Sequence, residues 1–254
     1  FPILRCALLI EDIDPVVRFF GVASALFGAL FAVLENDTKR LLAFSTISQL
    51  GFMISAPVVG GFYALTHGLV KSALFLTVGV LPSRDFANLR QNPIDPWVWG
   101  VLALGSLSIS GFPLLSGFAA KVLTGNHLLP WQTVSMNLAA IGTAISFAKF
   151  ISLPCAFSSK SAHRIKTKKT GTGFWLAMLV LMAGLAGANG FYYEAFTLDN
   201  AVKSILTILA GWLLYGLIFK RFSVRLPRAM EEFEHQIGIM SLMLVFLFWV
   251  VWLR

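Results

Sequence analysis

Cysteine is nearly absent. Cys6 and Cys155 lie far apart and form no CxxC pair, and the four histidines His67, His127, His163 and His235 are equally dispersed. No zinc, iron–sulfur or c-type haem spacing results. The chain also has no Gly-rich nucleotide loop and no Ser/His/Asp constellation in a soluble segment. No metal and no cofactor is therefore expected, nor any redox or hydrolytic site of the chain's own. A transporter segment fits better than an enzyme.

Charge is the second shortage. Only 13% of the 254 residues are charged, against roughly 25% in soluble domains. Hydrophobic residues make up 57%, and the mean hydropathy is +0.78. Apolar runs repeat along the whole chain, which places it in the bilayer. Irregular backbone is not tolerated against lipid, so spanning elements are helices or closed barrels. The runs lack the alternation of barrel strands. The expected fold is all-α, a polytopic transmembrane helical bundle.

About eight candidate spans follow, at 17–34, 40–58, 62–81, 97–125, 131–157, 173–190, 200–219 and 237–253. Most approach the ~20 residues that cross ~30 Å of hydrocarbon. The fourth is too long for one untilted helix. It holds Gly111, Pro113 and Gly117 in SISGFPLLSGF, which predicts a broken helix.

The net charge of +8 reads as membrane topology rather than nucleic-acid binding. Of the 20 Lys/Arg residues, thirteen fall in loops one, three, five and seven. These are Lys39, Arg40, Arg84, Arg90, Lys160, Arg164, Lys166, Lys168, Lys169, Lys220, Arg221, Arg225 and Arg228. Arg5, Arg18, Lys203 and Arg254 fall on the other side. The positive-inside rule then puts both ends of the chain away from the cytoplasm. The basic, Ser/Thr-rich loop 158–171 reads as a cytoplasmic anchor near anionic headgroups. Glu231, Glu232 and Glu234 read as a solvated face opposing nearby arginines.

Three lysines remain inside spans, where a central charge costs at least about 2.5 kcal/mol. Lys71 lies near mid-depth of the third span, with His67 one turn before it on the same face. That pair could relay a proton through water; the alternative is a lysine snorkelling to the interface. Lys121 follows the break, whose freed carbonyls and helix ends can hold ions or water. Its alternative is an anchor at the outer end of the span. Lys149, in SFAKFI, divides evenly between relay and snorkelling. Ser45, Ser48 and Gln49 form a polar stripe that lines a water path or bonds neighbouring helices. Asp37 is expected to N-cap the second span and Glu35 to close the first.

Three blocks now stand together: ENDTKRLLAFSTISQLGFM, THGLVKSALFLTVG and SISGFPLLSGFAAK. In this order they resemble the C-terminal half of the antiporter-like subunits shared by Mrp-type cation/proton antiporters and complex I (NADH:quinone oxidoreductase). The ending LPRAMEEFEHQIGIMSLMLVFLFWVVWLR looks most like an Mrp D-type subunit of cyanobacterial kind.

That resemblance implies two inverted five-helix repeats, each with a broken helix and a buried ionisable residue. It matches Lys71 to the axial lysine of the second repeat, His67 to the histidine one turn earlier, and Lys121 to the lysine after the second break. Tyr63 stands where some relatives carry a second histidine. The implied organisation is a helix tail and outward loop at 1–16, the second repeat at 17–157, the basic loop at 158–171 and C-terminal spans at 172–254.

The implied function is proton conduction in a cation/proton antiporter assembly. The alternatives are a proton-pumping subunit of a redox-driven NDH-1 complex and a non-conducting scaffold. The implied partners are the lipid bilayer and other membrane subunits of an Mrp-type or NDH-1-type complex, including a chain or segment that supplies the missing first repeat; no nucleic acid is expected. The expected location is the bacterial plasma membrane, or the thylakoid for a cyanobacterial chain. Because no initiator methionine precedes Phe1, the chain is expected to be a fragment, a processed piece or half of a split subunit.

Overall fold

The computed structural model describes residues 14–156, 170–190 and 195–220. The basic loop, the acidic cluster and the candidate span at 237–253 lie largely or wholly outside them. All regular elements among the described residues are helical. They are α1 (Asp14–Leu34), α2 (Thr38–Ser55), α3 (Gly60–Gly79), α4 (Phe86–Gln91), α5 (Pro96–Ser110), α6 (Ser116–Asn126), α7 (Pro130–Ile151), α8 (Thr172–Gly190) and α9 (Leu198–Leu214). α9 runs on into a π-helical turn, Tyr215–Phe219.

Four of these stretches are long and apolar enough to cross a membrane: Asp14–Leu34, Pro130–Ile151, Thr172–Gly190 and Leu198–Phe219. The helices between them are more polar or shorter for identifiable reasons. α2 opens on Lys39 and Arg40, and α3 buries Thr66, His67, Lys71 and Thr77. α5 and α6 are the two halves of the long fourth span, separated at residues 111–115.

The expected caps form. Asp37 accepts hydrogen bonds from Lys39 N at 2.8 Å and Arg40 N at 3.0 Å. Glu35 is buried in the α1–α2 turn, where its Oε1 accepts from Asn36 N and Asp37 N. Its Oε2 pairs with Arg40 Nε at 3.0 Å. These bonds meet the donors that the start of α2 leaves open.

Short backbone bonds gather the loops at two ends. Thr38 N donates to Arg84 O, and Phe86 N donates to Asn36 O. Ile94 N bonds Pro154 O, while Ala156 N bonds Ile94 O. The first and third loops and the end of α7 therefore share one end, as the charge alternation requires. At the other end, Arg18 Nη1 donates to Ser55 O at 2.9 Å and His127 O at 3.2 Å.

α1 and α2 cross very closely. A Cβ on Gly51 would overlap Ala25 N and Gly21 O, and one on Gly28 would overlap Ser48 N. Small residues permit such backbone approach where lipid gives no hydrophobic drive. Gly51→Val should therefore force the pair apart and cost about 3 kcal/mol, at the upper end of overpacking penalties. A thermal unfolding midpoint equal to wild type would contradict this.

Three apolar clusters lie in the interior among the described residues, two of them beside the lysines of α3 and α6. One includes Leu41, Leu42, Val70, Leu74, Phe147 and Phe150. The other includes Ala25, Phe52, Met53, Tyr63, Ala120 and Met136. Lys71 directly follows Val70 of the first cluster, and Lys121 directly follows Ala120 of the second.

Candidate functional site

Lys71 is buried. Its Nζ donates to Leu42 O at 2.7 Å and to the Ser45 hydroxyl, and it stands 5.4 Å from the centroid of the Phe147 ring. Ser45 Oγ in turn donates to Leu42 O at 2.9 Å. α2 thus supplies a carbonyl and a hydroxyl, and α7 supplies a π face. Such a set holds the Lys71 nitrogen away from water, and among the described residues no carboxylate pairs with it.

His67 lies one turn earlier on α3, is 7% exposed, and among the described residues has no hydrogen-bond partner at either ring nitrogen. A cavity adjoins it, lined by Gln49, Tyr63, Thr66, His67, Val70, Ile109 and Gly117. It offers about 10 Å³ to the centre of a water molecule, close to the ~10–15 Å³ that one water requires. One bridging water fits; a continuous wire does not.

Tyr63 closes the next turn of the same face. Its hydroxyl donates to Gln49 Oε1 at 2.5 Å, and Gln49 Nε2 donates to Thr143 Oγ1 at 3.2 Å. Thr143 Oγ1 donates onward to Ala139 O at 2.9 Å. The chain is one-directional, and its amide link holds geometry better than it passes protons.

The break itself has a clear cause. Gly111 adopts φ 89°, a left-handed conformation suited to glycine, and Leu114 follows at φ 72°. Phe112 N bonds Leu107 O and Gly111 N bonds Ser108 O, which closes α5 in a Schellman pattern. Pro113 carries no N–H to leave unpaired inside the break. Gly117 brings α6 against α5 so closely that a Cβ there would overlap Ser108 O. Lys121 folds back from α6, and its Nζ donates to Ser110 O at 3.1 Å. That nitrogen also lies 5.6 Å from the Phe52 ring centroid, and Phe52 stacks on Tyr63 at 6.1 Å. The five residues of the break bring the Lys121 side chain back onto the end of α5.

The structure therefore brings Lys71, His67, Ser45, Gln49, Tyr63 and Lys121 into one connected region beside the break. Two members of the sequence set go elsewhere. Ser48 Oγ donates to Ala25 O at 2.9 Å, fastening α2 to α1. Lys149 is buried, and its Nζ donates to Val33 O at 2.5 Å and Glu35 O at 2.8 Å. Phe147 and Lys149 are two residues apart and so face opposite sides of α7. One meets Lys71; the other caps the C-terminal carbonyls of α1.

A model of the NADH:quinone oxidoreductase/Mrp antiporter transmembrane family matches residues 2–146, more than half of the chain. The chain belongs to that family. It is an antiporter-like integral membrane subunit. NADH-ubiquinone oxidoreductase chain 5 of Paracentrotus lividus is 30% identical over 222 residues, covering 81% of this chain and 31% of that protein. Chain 5 of Marchantia polymorpha is 34% identical over 153 residues, covering 55% of this chain and 23% of that one. The chain thus spans less than a third of either relative. In fold it is similar to a chain of the Mrp complex from Dietzia sp., with a TM-score of 0.65 at 22% identity over 96% of this chain and 32% of that chain.

Within this family member, several site residues carried no signal in the sequence. Thr66 and Thr143 are each one of several hydroxyl residues in their helices, and most such residues only bond their own backbone. Phe52 and Phe147 are two among 23 phenylalanines, and nothing but their position over an ammonium sets them apart.

Lys149 calls for a prediction of its own. Lys149→Met removes two charge-assisted bonds at a helix C-terminus and should destabilise the chain by about 1–2 kcal/mol. Proton flux per assembled complex should stay within about twofold of wild type, because barriers shift tenfold only per ~1.4 kcal/mol. A flux loss as deep as that of Lys71→Ala would return Lys149 to the relay.

Proposed function

We propose that this chain conducts protons, as the second-repeat half of an antiporter-like subunit, through His67, Lys71, Lys121 and water. The observation that carries this reading is the Lys71–His67 pair. Among the described residues, a buried lysine paired with no carboxylate sits one turn from an imidazole whose two nitrogens have no hydrogen-bond partner. Beside the imidazole is room for one water. A space-filling scaffold has no use for so costly an arrangement.

Proteoliposomes containing the complete assembly test it. Lys71→Ala and Lys121→Ala should each lose proton flux while assembling normally. Wild-type flux in both would contradict conduction along this axis and favour the scaffold.

We further infer a redox-driven assembly, because the chain 5 relatives extend along up to 81% of the chain at 30% identity. The Mrp likeness at 22% identity supports the fold. The D-type resemblance rests on residues 226–254, outside the described residues. Purification with peripheral iron–sulfur subunits supports the redox assembly. Purification with small Mrp-type membrane subunits supports the antiporter. We place the first and third loops on the cytoplasmic side of a bacterial plasma membrane on the strength of their lysines and arginines. Thiol labelling of an introduced cysteine at Asn88 from the opposite side alone would overturn that orientation.

A further inference from the structure

The broken helix leaves carbonyls that its own backbone does not satisfy, and in a bilayer each unpaired one costs several kcal/mol. Leu107 O and Ser108 O are taken by the Schellman bonds. Ser110 O accepts from Lys121 Nζ at 3.1 Å. Phe112 O accepts from Leu115 N at 3.2 Å, and two further acceptors are met from outside the α5–α6 pair. Ser204 on α9 donates its hydroxyl to Gly111 O, and Asn189 at the end of α8 donates Nδ2 to Leu114 O at 2.7 Å.

These two acceptors belong to Gly111 and Leu114, the two residues with positive φ. Leucine adopts that conformation only when its surroundings hold it there. The connection between α8 and α9 adds a third grip: the Phe196 ring lies 5.1 Å from that of Phe118, one residue past Gly117. α9 is itself seated on α7, since a Cβ on Gly211 would stand 3.0 Å from Ile141 O. A Cβ on Gly111 would meet Lys121 Cδ at 3.0 Å and Ser204 Oγ at 3.6 Å, so both side chains converge on one glycine.

We propose that Asn189 and Ser204 are positioning residues that clamp the helix break, so that Lys121 can leave Ser110 O without the loop collapsing. Of the three side chains that satisfy the break, Lys121 alone carries a transferable charge. Asn189 and Ser204 are neutral at every working pH and keep their bonds while Lys121 changes partner. The C-terminal helices thus hold the site open, a role that rests on the proton-relay reading above.

The test uses the full chain in its assembly, in nanodiscs for amide exchange and in liposomes for flux. In Asn189→Ala/Ser204→Ala, amides within 112–118 should exchange roughly tenfold faster, as expected for losing two hydrogen bonds, while α2 and α7 amides keep their rates. Proton flux should fall in step. Ser204→Thr, which retains the hydroxyl, should restore both readouts when paired with native Asn189. Should the double variant fail to assemble, Ser204→Ala alone decides by the same readouts.

Unchanged exchange at 112–118 overturns the clamp by itself. Faster exchange with wild-type flux overturns the positioning role. Wild-type flux in Lys121→Ala overturns the relay reading instead, whatever the exchange rates show.

Discussion

Lys71→Ala should abolish proton flux through the reconstituted assembly, by about 10²-fold or more, the scale on which a positioned acid–base group contributes. The loss follows from geometry. Alanine empties the space beside the bonded Leu42 O–Ser45 hydroxyl pair, with Phe147 behind. His67 then loses the amine one turn away on its own face of α3, and the cavity beside it has room for one water. Folding should survive, because removing a buried charge relieves at least about 2.5 kcal/mol of insertion cost. Ser45 Oγ already donates to Leu42 O, so that carbonyl keeps a partner. Helix content and assembly at wild-type level, with flux gone, is the expected pattern.

Gly117→Ala should be the most damaging small change in the chain. The added Cβ would overlap Ser108 O, a backbone atom in the last turns of α5. No rotamer relieves such a clash, so one half-helix must move against the other. Overpacking of this kind costs about 1–3 kcal/mol when side chains yield, and rigid backbone puts Gly117 at or above about 3 kcal/mol. The Ser108–Ser116 hydroxyl contact at 3.4 Å and the Lys121–Ser110 bond both span the same crossing. Thermal unfolding of the purified assembly should shift down, and flux should fall even in the protein that assembles. A variant with wild-type unfolding and flux would mean that the break is softer than its glycines imply.

Much of this site is legible in the sequence because its parts are local. The His67–Lys71 spacing fixes a shared helix face, and Gly111, Pro113 and Gly117 announce an interruption wherever the helix packs. Asp37 caps α2 through its own neighbours. What cannot be read is which helix passes which. Ser45 and Ser48 look equivalent in a stripe, yet Ser45 meets Lys71 and Ser48 meets Ala25 O across the close α1–α2 crossing. Lys149 has a readable depth but no readable partner. Its two acceptors lie more than a hundred positions earlier, at the end of α1.

Asn189 and Ser204 were equally silent. Asn189 is a single polar residue at the end of an apolar helix, and Ser204 is one of several polar residues in the first half of α9. Their meaning comes from the two positive-φ carbonyls they reach. Tyr63 was noted as a departure in a relay position. The structure gives it a partner, Gln49, and so a role in holding the cavity wall.

Arginine at position 71 separates a proton carrier from a fixed charge. Guanidinium keeps the positive charge but does not deprotonate in proteins. Proton flux through liposome-reconstituted Lys71→Arg, normalised to assembled complex, is the measurement. A relay through Lys71 predicts loss as deep as that of Lys71→Ala; wild-type flux with arginine in place would contradict it.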